Sequence, residues 1–294
     1  MVKKRLKKNM RIYLSILFLF IILASTVFGI DNTKKKQVII SFDDGYYSVY
    51  KYAFPVLKEH KILMTLALIT SYLEKSNIPR PYGNINMFMN RGEVQEMIDA
   101  LDIEIASHSV NHPDLTKLSE EKIKYELNKS KQTLDSLFNQ ETVSFVYPYG
   151  AVNRKVVELT KAAGYKLGRS IRWGEPNLWV DRYLLPIKEV RNTTTIDEVI
   201  RHINNYQTTI LLFHRLSPQP VVFTEWSNYK FEELINRLRA DPNLEFLTLR
   251  DLYVKWWQEI MIKYVKEKGW LANQILFDKI DIDKTRTFNS SIIK

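Results

Sequence analysis

The sequence predicts a single α/β domain closed into a barrel of about seven strands, and three observations carry that expectation. Short β-rich runs alternate with helix-length amphipathic segments between Gln37 and Arg250, the pattern of βα units and a mainly parallel sheet. Neither an internal repeat nor a Pro/Gly/Ser-rich linker interrupts that stretch, which at roughly 210 residues fits one domain. The whole chain of 294 residues, 45% hydrophobic and 26% charged, has ordinary globular composition and the length for a buried core.

Residues 1–36 come first. Residues 12–30 are uncharged and rich in Leu, Ile and Phe, behind a basic start. This reads either as a secretory leader with Val27-Phe28-Gly29 at its cleavage site or as an anchor, since about 20 apolar residues span a bilayer. Either places the domain outside the membrane, at the cell surface or released. A charged linker, 31–36, follows. Strands are expected at 37–42, 62–70, 103–107, 143–147, 165–170, 208–214 and 244–247. Asn90 with Glu93 reads as a capping box before 94–101, Ser119 precedes an acidic first turn, and Thr195 with Glu198 opens 196–206. Gly164 reads as a helix C-cap. Residues 251–294 hold one more helix, including Trp256, Trp257, Ile260 and Tyr264, and a polar tail from about Asp278. The tryptophan pair at helical spacing reads as core.

The net charge of +10 does not point to a nucleic acid. Nine basic residues lie in the first 36, offset only by Asp31, so that stretch carries +8 and the remainder +2. A nearly neutral domain lacks the basic stripe that phosphate neutralisation requires. The absence of cysteine excludes disulfides, thiolate zinc sites and a Cys nucleophile, so any metal must be held by His and carboxylate.

Three motifs stand at the C-terminal ends of expected strands, the edge where parallel α/β folds carry their sites. Ser41-Phe42-Asp43-Asp44-Gly45 sets two carboxylates at a turn. Such pairs are ordinarily capping or solvated residues, but one can also hold a cation while its neighbour takes a proton from water. His108-Ser109-Val110-Asn111-His112 spaces two of the chain's five histidines at i and i+4, which favours a divalent ion. Two His and one carboxylate leave coordination positions open, as a catalytic metal requires. Leu211-Leu212-Phe213-His214 ends a buried strand in a histidine on the same rim, where hydrolysis needs an acid for the leaving group. His60 and His202 read as surface or packing residues.

With Phe145-Val146-Tyr147-Pro148-Tyr149-Gly150, these motifs follow the order and approximate spacing of the polysaccharide deacetylase family (NodB homology, carbohydrate esterase family 4), which the chain resembles over 37–250. The resemblance implies a deformed (β/α) barrel and metal-dependent removal of acetyl groups from polymers such as chitin, peptidoglycan, xylan or poly-N-acetylglucosamine. It makes Asp43 the general base and His214 the general acid. Asp44, His108 and His112 become ligands of a divalent metal, usually zinc, sometimes cobalt or nickel. The backbone N–H of Tyr149, next to Pro148, becomes an oxyanion donor. Tyr46, Tyr147, Tyr149, Trp173 and Trp179 are candidate sugar platforms.

Two departures stand out. Val146 occupies the position where many members have Arg, so the usual partner orienting the base is expected to be missing. In place of an Asp-x-x-Asp-Trp motif the chain has Arg169-Ser170-Ile171-Arg172-Trp173 and a later Asp181 near Leu185-Pro186. The Tyr-Pro-Tyr-Gly form resembles the poly-N-acetylglucosamine deacetylase branch. The expected activity is therefore N-deacetylation of an extracellular N-acetylglucosamine polymer, with an acetylated polysaccharide as partner and a membrane through the N-terminal segment if it is uncleaved. A metal amidohydrolase of a small amide and an inert surface carbohydrate binder are the alternatives.

Overall fold

The computed structural model describes residues 35–75 and 88–268. The basic start, the apolar run 12–30 and the polar tail lie outside the described residues. Among those described, no helix is long and apolar enough to cross a membrane.

Seven parallel strands close into a ring: β1 (Lys36–Phe42), β2 (Thr65–Leu68), β3 (Glu104–Ser107), β4 (Ser144–Val146), β5 (Leu167–Trp173), β6 (Leu185–Glu189) and β7 (Thr208–Phe213), which pairs back onto β1. The short strands β8 (Arg215–Ser217) and β9 (Glu225–Ser227) pair with each other, and β10 (Leu244–Leu247) follows. Helices fill the connections: α1 (Phe54–His60), α2 (Thr70–Lys75), α3 (Arg91–Ala100), α4 (Glu120–Phe138), α5 (Arg154–Ala162), α6 (Ile196–Asn205), α7 (Asn228–Arg239) and α8 (Leu249–Lys268). The expected caps form. Asn90 accepts from Glu93 N while Glu93 accepts from Asn90 N, and Thr195 and Glu198 repeat the exchange.

The ring is closed by a strand that sequence reading passed over. β6 contains Pro186, which argues against a strand, but it sits near the start, where a missing N–H costs the ladder least. The expected strand 244–247 is instead an eighth, partial member. One edge of β1 is filled by β7, and the other is divided: Lys36–Ile39 pair with β10, whereas Ser41 and Phe42 pair with β2. This split deforms the barrel.

Side-chain alternation sorts the strand residues into two sets. Val38, Ile40, Phe42, Leu66, Leu68, Leu211 and Phe213 pack outward with the helices, while Ile39, Leu167, Leu185, Ile210 and Leu212 face inward. The inward set of β3, β4 and β2 is small, Ala106, Val146 and Ala67. The same parity carries Asp43, His108, Arg169 and His214 to the interior at the C-terminal rim.

The floor is polar and closed. Buried Glu104 accepts from Thr65 Oγ1 and from Arg250 N, both at 2.9 Å, while Leu249 N donates to Thr65 Oγ1 at 3.0 Å. The first turn of α8 thus finds acceptors for its orphan N–H groups inside the barrel. Its face packs Leu249, Leu252 and Trp256 on the interior cluster, whereas Trp257 is 38% exposed and lies outside that core.

Candidate metal centre and active site

The chain leaves β1 through Asp43, then turns at Asp44 (φ 69°) and Gly45 (φ 80°). A Cβ on Gly45 would lie 2.7 Å from Leu68 Cδ2, so only glycine fits this second left-handed position. The turn returns Asp44 to the rim beside Asp43. After β3, His108 is fully buried, and its Nδ1 donates to the Val146 carbonyl at 2.8 Å, which leaves Nε2 facing Asp44. The loop then places His112 by two left-handed non-glycine residues, Ser109 (φ 66°) and His112 itself (φ 59°).

Three atoms converge. Asp44 Oδ1 lies 3.4 Å from His108 Nε2 and 3.5 Å from His112 Nε2, and the two nitrogens are 3.1 Å apart. Ligand bonds of about 2.1 Å in a tetrahedron hold donor atoms about 3.4 Å from one another, so this triangle fits a zinc-like divalent ion with a position to spare. The electrostatics agree. Burial alone would raise the Asp44 pKa, but the hydrogen bond to His108 and the charges of His108, His214 and His112 outweigh it and lower it to about 2. Burial and the charge of His108 push His112 down to about 4. Burial also works against charge on His108, yet the hydrogen bond to Asp44 and the charges of Asp43 and Asp44 prevail and raise it. The cluster thus attracts positive charge to its centre.

Asp43 is held separately. Arg169, at an inward position of β5, donates from Nη2 to both Asp43 carboxylate oxygens, and both side chains are buried. The expectation of a missing partner at Val146 is therefore corrected: the guanidinium arrives from the next strand, and Val146 contributes its carbonyl to His108 instead. Sequence reading quoted Arg169 only as a departure from a motif. His214 follows β7, whose Phe213 O accepts from Asp43 N at 3.0 Å, and its Nδ1 is buried without a hydrogen-bond partner.

The aromatic residues divide. Tyr149, 64% exposed at φ 57°, sets its ring 4.5 Å from that of His112, directly after Pro148, which is buried. Burial and the nearby Asp44 carboxylate push the Tyr46 hydroxyl up to about 12. Its ring stacks on Phe88 at 4.9 Å and lies under Arg215 at 5.1 Å. Tyr147 is corrected: parity on β4 turns it outward, 1% exposed among Phe145 and Tyr165, where it can offer no face to a sugar. Trp173 is exposed but rests edge-on against His202 and Tyr206 at the end of α6, apart from the metal-ligand cluster. Trp179 is exposed beside Lys263.

The polysaccharide deacetylase family model matches residues 30–168, which contain the Asp43-Asp44, His108–His112 and Tyr147–Gly150 motifs but not His214. Residues 30–168 are thus similar to the polysaccharide deacetylase family. The poly-β-1,6-N-acetyl-D-glucosamine N-deacetylase of Staphylococcus aureus strain MSSA476 is 32% identical over 145 residues, 47% of this chain and 48% of that protein. The chain thus spans about half the length of the curated relatives it matches. Among solved structures, a Streptococcus pyogenes deacetylase, PplD, in complex with acetate superposes with a TM-score of 0.51 at 24% identity, over 55% of this chain and 68% of that one. The Xyl-CE4 domain of a xylanase from the hindgut metagenome of Trinervitermes trinervoides gives 0.52 at 19% identity, over 75% and 91%. These two likenesses concern the deacetylase barrel fold.

Proposed function

We propose that the protein hydrolyses N-acetyl groups of an extracellular N-acetylglucosamine polymer, a β-1,6-linked one by preference, using a divalent metal. The observation that carries this reading is the meeting, on one rim, of the Asp44, His108 and His112 triangle with the Arg169-held Asp43 and with His214. The likeness to the staphylococcal poly-β-1,6-N-acetyl-D-glucosamine N-deacetylase supports the choice of polymer. A bound zinc-like cation supplies Lewis acidity for an amide carbonyl and acidifies a water.

Asp43, oriented by the Arg169 guanidinium, takes a proton from the attacking water. The Tyr149 N–H, presented by its left-handed turn, donates to the developing oxyanion. His214 gives a proton to the departing amine, so that acetate leaves and a glucosamine residue with a free amine remains in the polymer. Tyr46 and Tyr149 flank the mouth and present aromatic surface to sugar rings. The basic start and apolar run 12–30 support export, with the domain tethered to or released from the cell surface. The test compares acetate release from β-1,6 and β-1,4 N-acetylglucosamine oligomers. Faster release from the β-1,6 series is expected, and activity confined to the β-1,4 series would overturn the polymer assignment.

A further inference from the structure

The loop that carries both histidines is strained; Ser109 Oγ accepts from His112 N at 2.8 Å, Thr70 N and Ser71 N donate to the Ser109 and Val110 carbonyls, and one buried carboxylate gathers the N–H groups between the two strained residues. Ser109 and His112 both take left-handed backbone conformations without being glycine, each at a cost of order 1–3 kcal/mol that neighbouring structure must hold in place. Between them, Val110 N and Asn111 N donate to Glu126 Oε2 at 2.8 and 2.9 Å, and Asn111 Nδ2 donates to Glu126 Oε1 at 2.8 Å. Glu126 projects from α4, is 6% exposed, and has no cation within salt-bridge distance among the described residues. A buried carboxylate without a cation is costly unless N–H donors satisfy it, and here the donors of this one loop do so.

We propose that Glu126 is a positioning residue for the metal centre: it holds the loop so that His112 meets His108 and Asp44, and thereby sets metal affinity. This rests on the metal reading of the triangle. Partners behind the ligands typically change affinity by about 10–100-fold. Ser130, one turn further along α4, accepts from Ser107 Oγ at 2.8 Å and ties the same helix to β3 without touching the loop's N–H groups.

The test measures zinc dissociation constants by chelator competition on the full chain, alongside thermal midpoints without metal. Glu126→Gln sets an amide NH2 against donors and is expected to weaken zinc tenfold or more. Asn111→Ala, at an exposed side chain that leaves folding intact, is expected to weaken it a few-fold. Ser130→Ala is expected to lower the midpoint with zinc affinity unchanged. Wild-type affinity in both Glu126→Gln and Asn111→Ala, whatever their midpoints, overturns the positioning role while leaving the metal reading intact. A wild-type chain that takes up no zinc overturns both.

Discussion

Replacing Arg169 by Met tests the arrangement around the base. The guanidinium and the Asp43 carboxylate are 1% and 4% exposed, so neither can turn to water when its partner is removed. The remaining bonds of Arg169 are meagre: Nη1 reaches Ser170 O at 3.4 Å, and Nε finds no partner among the described residues. Its interaction is therefore concentrated on Asp43. Breaking a buried ion pair from one side costs about 3–5 kcal/mol, because the other charge stays desolvated. For a domain of this size, about 2–4 °C per kcal/mol, the thermal midpoint should fall by roughly 6–20 °C. Calorimetry reads the midpoint and an acetate assay reads activity, which should drop by about 10²–10⁴ as the base loses the guanidinium that orients it. Adding Asp43→Asn to Arg169→Met removes the stranded charge, so the double variant should recover most of the midpoint and none of the activity. An Arg169→Met protein with an unchanged midpoint would refute the coupling.

Other expectations follow from the same packing. Burial pushes the Glu104 carboxyl up. The stability it contributes is present below the unfolded value of about 4.3 and is lost as pH rises through the folded value. In Glu104→Gln the amide oxygen still accepts from Thr65 Oγ1 and Arg250 N while the NH2 donates to Ser144 Oγ, which donates to Glu104 Oε1 in the wild type, so its midpoint should gain on wild type as pH rises, and a pH-independent difference would contradict the buried neutral acid. Tyr147→Phe removes a deeply buried hydroxyl and should leave stability within about 1 kcal/mol and acetate release unchanged; a large loss of activity would return Tyr147 to the site. Gly45→Ala must place a Cβ 2.7 Å from Leu68 Cδ2 at φ 80° and should lower both midpoint and zinc affinity. Normal zinc binding in that variant would show that the turn does not position Asp44.

Much of the site was legible because strand ends are legible. Asp43, His108 and His214 each follow a short strand-forming run, with Asp44 and His112 in the turns just beyond, and a parallel barrel brings such ends to one rim. Period-two alternation then decides which of them face inward, and it explains the error at Tyr147, one residue out of phase with Val146. Arg169 was not recoverable, because nothing local links it to a carboxylate 126 residues earlier; the pairing depends on how the ring closes. The closing strand was missed for a local reason, Pro186, and the run at 244–247 took its place because pairing with half of β1 leaves no mark in composition. Glu126 left a weak signal, an acidic residue with Ser130 at i+4 on the inner face of a helix, which reads equally as an ordinary amphipathic pattern.

The most direct test of the account strips the full chain of metal, restores zinc, and follows acetate release from β-1,6 N-acetylglucosamine oligomers by wild type and Asp43→Asn. Wild type should release acetate only with zinc, and Asp43→Asn should bind zinc as tightly yet release about 10²–10⁴-fold less acetate. Equal release by the two proteins, or release that persists without metal, would contradict it.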